Sequence, residues 1–197
     1  MTSVRIGIAL FDDAEELDWA GPLEVLGTWS KQWPEDGVEV LTLAPTKEPV
    51  RCAKGLRVLG DHTWRNAPPI DVLVYPGGQG TRRQLGDDHV RAWIRGMAAS
   101  ARLMTSVCTG SLVYADAGLL DGRPATTHWS ALELLGTLGQ DIEVRPDDRF
   151  VHSDAVITAA GVSAGIDMAL YMIALLGSTE RARQVRRAIQ YDPQPPV

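Results

Sequence analysis

Apolar residues along this chain come in short solid runs, separated by stretches in which they recur every third or fourth position. Val4 to Leu10 passes from alternation into a run and predicts a first strand; Val38 to Ala44, Asp71 to Tyr75 and Leu103 to Val107 predict three more. Helical spacing predicts a helix opening at Gly21-Pro22-Leu23-Glu24-Val25-Leu26, with Pro22 in the first turn, where a missing N–H costs nothing. Further helices are predicted over Asp87 to Ser100, through Leu112, Val113, Ala115, Leu119 and Leu120, and over Trp129 to Leu138, Val162 to Leu176 and Thr179 to Ile189. Phe11 to Asp18 reads as an acidic connection, and Asp61 to Ala67, leading into Pro68-Pro69, reads as a loop. Pro49 to Leu59, broken at Lys54-Gly55, and Arg149 to Ala159, turning at Ser153-Asp154, read as hairpins, with short strands at Pro124 to Thr127 and Ile142 to Arg145. Pro193-Gln194-Pro195-Pro196 is expected to end the chain in extended form.

Strands alternating with helices in this way imply an α/β fold, a largely parallel sheet with helices on both faces, whose ligands bind at the carboxyl ends of the strands. No repeat, low-complexity tract or linker interrupts the pattern, so residues 1–197 are expected to form one domain.

Composition narrows the function classes. Hydrophobic residues are 45% and charged residues 22%, as in folded globular proteins, and no apolar run approaches the ~20 residues of a membrane span. The start Met1-Thr2-Ser3-Val4-Arg5 lacks a signal-peptide pattern, so a cytoplasmic location is expected. The net charge of −6 argues against general affinity for nucleic acid or anionic membranes. The one basic cluster, Arg181, Arg183, Arg186 and Arg187, reads as a solvated helix face. Cys52 and Cys108 are not expected to pair, because an intracellular core of this size needs no staple.

Three strand ends carry unusual residues: Asp18 after the first, Pro76-Gly77-Gly78-Gln79-Gly80 after the third, and Cys108 after the fourth. If the strands are adjacent, all three converge. Cys108 sits at a strand-to-helix turn with Gly110 two residues on, close to the positive end of the following helix, a placement that favours a thiolate. The alternative is a small buried apolar residue, as free cysteines usually are. Gly77 and Gly78 could turn backbone N–H groups toward a ligand; the spacing fails the dinucleotide and phosphate-loop patterns. His128, just past a strand and beside Trp129, is read as a hydrogen-bonded supporting residue, with general-base action the alternative. Trp19, Trp29 and Trp33 are read as core or dimer interface, although Trp19, next to Asp18, could touch a substrate. No His, Cys, Asp or Glu set has metal-ligand spacing, and neither a metal nor a cofactor is expected.

Val107-Cys108-Thr109-Gly110-Ser111, the Pro76-Gly77-Gly78-x-Gly80 turn, Leu17-Asp18-x-x-Gly21-Pro22, Ala125-Thr126-Thr127-His128-Trp129, Ala164-Gly165-Ile166-Asp167 and Gln190-Tyr191-Asp192-Pro193 together resemble the ThiJ/PfpI superfamily of class I glutamine amidotransferase-like proteins. Within it they most resemble the isonitrile hydratase branch. The resemblance implies a flavodoxin-like three-layer α/β sandwich, a homodimer, a small-molecule substrate, and Cys108 as nucleophile in a strained elbow with Asp18 as its acidic partner. Relatives with glyoxalase or deglycase activity are expected to carry glutamate in place of Asp18, and protease-type relatives place histidine directly after the cysteine, where this chain has Thr109. Both departures weigh against peptide and sugar-adduct chemistry.

The implied reaction is hydration of an isonitrile to an N-substituted formamide. The Cys108 thiolate attacks the terminal carbon, Asp18 delivers a proton and then guides water, and N–H groups at Gly77-Gly78 and after Cys108 steady the developing charge, with Thr109 donating near Asp18 or the sulfur. The same motifs resemble ligand-sensing domains of AraC-type regulators, which carry a basic helix-turn-helix region after this domain. None is read in these 197 residues, and sensing ranks behind catalysis. A redox-responsive cysteine protein is the third reading.

Overall fold

The computed structural model describes residues 3–194. In chain order its elements are β1 (Val4–Ala9), α1 (Glu16–Gln32), β2 (Val38–Ala44), β3 (Val50–Arg51), β4 (Arg57–Val58), β5 (His62–Thr63), β6 (Val72–Tyr75), α2 (Gly80–Gln84), α3 (Asp88–Ser100), β7 (Leu103–Val107), α4 (Gly110–Asp116), β8 (Pro124–Ala125), α5 (Leu132–Leu138), β9 (Glu143–Val144), β10 (Phe150–Ser153), β11 (Val156–Ala159), α6 (Ala164–Leu176) and α7 (Thr179–Ala188). Seven strands hydrogen-bond in the order β10-β11-β7-β6-β1-β2-β5. All run parallel except β10, which returns antiparallel beside β11. Helices α1, α6 and α7 pack on one another in one layer, while α2, α3 and α5 pack around α4 in the other. Among the described residues no helix is long and apolar enough to cross a membrane.

The solid apolar runs are explained by this layering. Strands at the centre are covered on both faces, so alternation is lost: Val72, Leu73, Val74 and Tyr75 of β6 are all fully buried, as are Ile6 and Ile8 of β1. The chain leaves β1 toward β2 on one side, while β6 pairs with β1 on the other. The carboxyl ends of β1 and β6 therefore open a crevice between them, the place where open α/β sheets bind ligands.

Several boundaries differ from the sequence pattern. Helix α1 starts at Glu16 rather than Gly21, so Pro22 lies inside it and Asp18 in its first turn. Asp18, Trp19, Pro22, Val25, Leu26 and Trp29 are buried at helical spacing, and packing of this face against α6 outweighs the backbone hydrogen bond lost at the proline. The expected loop after Asp61 contains β5, an edge strand on β2, and the short helix α2 was not anticipated. Trp129 to Ala131 form a 3-10 turn ahead of α5 rather than its first turn. Arg181 is not simply solvated. Its Nε donates to Asp36 Oδ2 at 2.6 Å and its guanidinium lies 4.7 Å over the Trp33 ring, tying α7 to the end of α1. Of the extended tail, Pro195 and Pro196 lie outside the described residues, as do Met1 and Thr2; Pro193 and Gln194 belong to neither helix nor strand.

Candidate active site

The turn between β7 and α4 puts Cys108 at φ 55°, a left-handed conformation costing a non-glycine residue about 1–2 kcal/mol. Four hydrogen bonds hold it there. The Cys108 N–H is shared between the carbonyls of Ala159 at 3.1 Å and Ala160 at 3.0 Å, and the Cys108 carbonyl accepts from Thr127 Oγ1 at 2.9 Å and Ser111 Oγ at 3.2 Å. Gly110 is required for a steric reason: a Cβ there would collide with the Tyr75 carbonyl oxygen and come within 2.8 Å of that of Pro76. The elbow and the end of β6 can thus touch backbone to backbone.

Asp18 comes to the elbow from the first turn of α1 and is fully buried. Its Oδ2 accepts the Gly77 N–H at 2.8 Å. Oδ1 is buried without a hydrogen-bond partner, and the carboxyl group as a whole lies against the Cys108 thiol. Burial, opposed by the Gly77 N–H and the thiol, raises the Asp18 pKa from 3.8 to about 7. Burial and then the Asp18 charge push the Cys108 thiol up to about 12, against the N–H groups of Thr109 and Val162, which point at the sulfur. This corrects the thiolate expected from the position at a helix start. The helix-end field is outweighed by removal from water and by a carboxylate in contact. Burial thus holds both groups toward their protonated forms.

The glycine turn does different work from the one expected of it. Gly77 N–H is taken by Asp18, and Gly78 N–H donates to Thr109 Oγ1 at 3.0 Å, so neither is free for a substrate. A Cβ on Gly77 would collide with the Thr109 backbone nitrogen and lie 2.9 Å from Asp18 Oδ2, so only glycine lets the three segments meet. The Thr109 hydroxyl, 3.1 Å from Thr81 Oγ1 and 3.2 Å from the Gly78 carbonyl oxygen, ties the turn to the elbow and does not face the sulfur. The donors that do are the backbone N–H groups of Thr109 and Val162. Val162 was missed. It holds φ 48°, rare for a β-branched residue, and no local pattern marks it.

Over the sulfur lies a cleft of about 320 Å³ whose lining includes Glu15, Lys54, Arg82, Cys108, Thr109 and His128. His128 Nδ1 lies 2.8 Å from Ser130 Oγ and accepts the Ser130 N–H at 3.3 Å, which holds the ring against the turn that follows it. Trp19 does not line this cleft. Its indole is buried and sits beside the thiol of Cys52, so it supports the β3–β4 hairpin and not a substrate. Both cysteines are free. Among the described residues no group of three or more His, Cys, Asp or Glu side chains could hold a metal ion.

Comparison with known proteins places this geometry in context. The sequence profile of the DJ-1/PfpI family matches residues 4–175. The chain is 39% identical to the isonitrile hydratase of Pseudomonas putida, over 98% of its own length and 81% of that protein. It is 29% identical to the HTH-type transcriptional regulator GbdR of Pseudomonas aeruginosa, over 93% of its length but only 48% of the regulator. Among solved structures, a ThiJ/PfpI family protein from Pseudomonas syringae superimposes with a TM-score of 0.90 at 32% identity, covering 100% of this chain and 78% of that one.

Proposed function

The chain belongs to the DJ-1/PfpI family, and we propose that within it this protein hydrates an isonitrile to an N-substituted formamide, with Cys108 as nucleophile and Asp18 as the acid and base that serves it. The observation that carries the reading is the buried pair itself, a thiol against a carboxyl group whose pKa of about 7 matches the pH at which it must both take and return a proton. Likeness to the Pseudomonas putida isonitrile hydratase supports the choice of substrate class.

The reaction starts from the pair holding one proton. As Cys108 Sγ bonds to the terminal isonitrile carbon, its proton passes to the Asp18 carboxylate and on to that carbon, giving a thioimidate, Sγ–CH=N–R. Water then adds: its oxygen bonds to the carbon while Asp18 takes one of its protons and hands it to the nitrogen, giving Sγ–CH(OH)–NH–R and freeing the carboxylate again. Collapse breaks the C–S bond, the hydroxyl proton returns through Asp18 to the sulfur, and the formamide leaves. The Thr109 and Val162 N–H groups stabilise negative charge on the sulfur as it departs. His128 lines the cleft wall and is given no step.

The test is formamide production from phenyl or cyclohexyl isocyanide, followed by chromatography. Cys108→Ala is expected to abolish it and Asp18→Asn to reduce it by at least a hundredfold; full activity in either variant overturns the mechanism. A second reading, a ligand-sensing domain, is favoured by the match to the regulator across most of this chain. Its signature is saturable isonitrile binding with no formamide. A cytoplasmic location and a homodimer belong to the same proposal, and light scattering on the purified protein tests the second.

A further inference from the structure

Beside the thiol–carboxyl pair the cleft carries a charge that nothing near it balances. Arg82, on α2, is half-buried in the wall that also bears Cys108 and Thr109. Its Nη1 donates to the Thr81 hydroxyl at 3.2 Å, and that hydroxyl, fully buried, is 3.1 Å from Thr109 Oγ1. A short hydrogen-bonded chain therefore fixes the guanidinium relative to the residue that follows the nucleophile. The neighbouring cations are spent elsewhere. Lys54 Nζ donates to Glu15 Oε1 at 2.7 Å, and Arg83 pairs with Asp13 at 2.7 Å. Among the described residues no carboxylate lies within ion-pair distance of Arg82.

A guanidinium partly removed from water, with most of its donors unspent, is matched by a planar anion that takes two parallel N–H bonds. The chain as a whole is acidic, so a local cation at the mouth of the site is a selective feature and not part of a general basic surface. We propose that the substrate is an isonitrile bearing a carboxylate, held by Arg82 while its isonitrile carbon meets Cys108. This rests on the hydration reading above and adds the substrate's second functional group.

The test compares a series of ω-isocyano carboxylates of increasing chain length with their methyl esters. For the member whose length fits, kcat/KM of the acid is expected to exceed that of its ester by about tenfold or more, the range of one charge-assisted pair. In Arg82→Gln that ratio falls to near one. In Arg83→Gln, whose charge is spent on Asp13, it stays as in the unaltered protein. Acids no better than esters at every length, or an acid preference that persists in Arg82→Gln, overturns the inference while leaving hydration standing. Failure to hydrate any isonitrile, charged or not, brings down the proposed function and this inference with it.

Discussion

Replacing Asp18 by asparagine is expected to stabilise the protein while disabling it. Burial raises the carboxyl pKa from 3.8 to about 7, so the folded chain binds a proton more tightly than the unfolded one. The contribution of this group to stability is then most favourable below pH ~4, where both states are protonated. It falls as pH rises from ~4 toward ~7, because the unfolded chain ionises freely and the folded one does not. The shift of about three units, at 1.36 kcal/mol each, puts the full cost at about 4 kcal/mol above pH 7. Asparagine keeps an oxygen for the Gly77 N–H and carries no charge, so it escapes this cost. The gain over the unaltered protein should be about 2–3 kcal/mol larger at pH 8 than at pH 5. At roughly 2–4 °C per kcal/mol, this corresponds to about 5–10 °C in Tm. Urea titrations of both proteins at the two pH values, monitored by tryptophan fluorescence, measure it. A gain independent of pH, or a loss at pH 8, would show that Asp18 is not a buried acid ionising at a cost.

Other consequences follow from the same geometry. Because Asp18 must be ionised to receive the thiol proton, kcat/KM for an isonitrile should rise about tenfold per pH unit below ~7 and level off above it; a profile flat from pH 5 to 9 contradicts the assignment. Gly77→Ala forces a methyl group onto Thr109 and Asp18, so it should cost about 1–3 kcal/mol in denaturant titrations and remove activity together, and a fully active, equally stable variant would refute the close approach. Iodoacetamide should label Cys108 slowly at pH 7 and faster in Asp18→Asn, which removes the second cause of the raised thiol pKa; equal rates by mass spectrometry would show that the carboxylate does not govern the thiol.

Much of the scaffold was legible because burial on both sheet faces erases alternation: the runs through Val72–Tyr75 and Leu103–Val107 were recognisable as central strands without knowledge of their neighbours. Asp18 and Cys108 were legible as chemistry at strand ends, and the structure brings them together. What failed was whatever depends on a partner distant in sequence. Pro22 argued locally for a helix start, but the α6 surface against which that face packs begins at residue 164. The glycine N–H groups looked free because their acceptors, Asp18 and Thr109, lie 59 and 31 positions away. The thiol looked acidic because a helix start is visible locally while burial is not. Val162 gave no signal, since a strained valine is held by its surroundings rather than by its own preference.

The most direct test of the central claim is rapid-quench peptide mapping by mass spectrometry during turnover of phenyl isocyanide. The account predicts an adduct of one isonitrile on Cys108, formed and lost fast enough to carry the appearance of formamide, and absent in Cys108→Ala along with the product. Formamide released without any adduct at Cys108, or by the alanine variant, would contradict it.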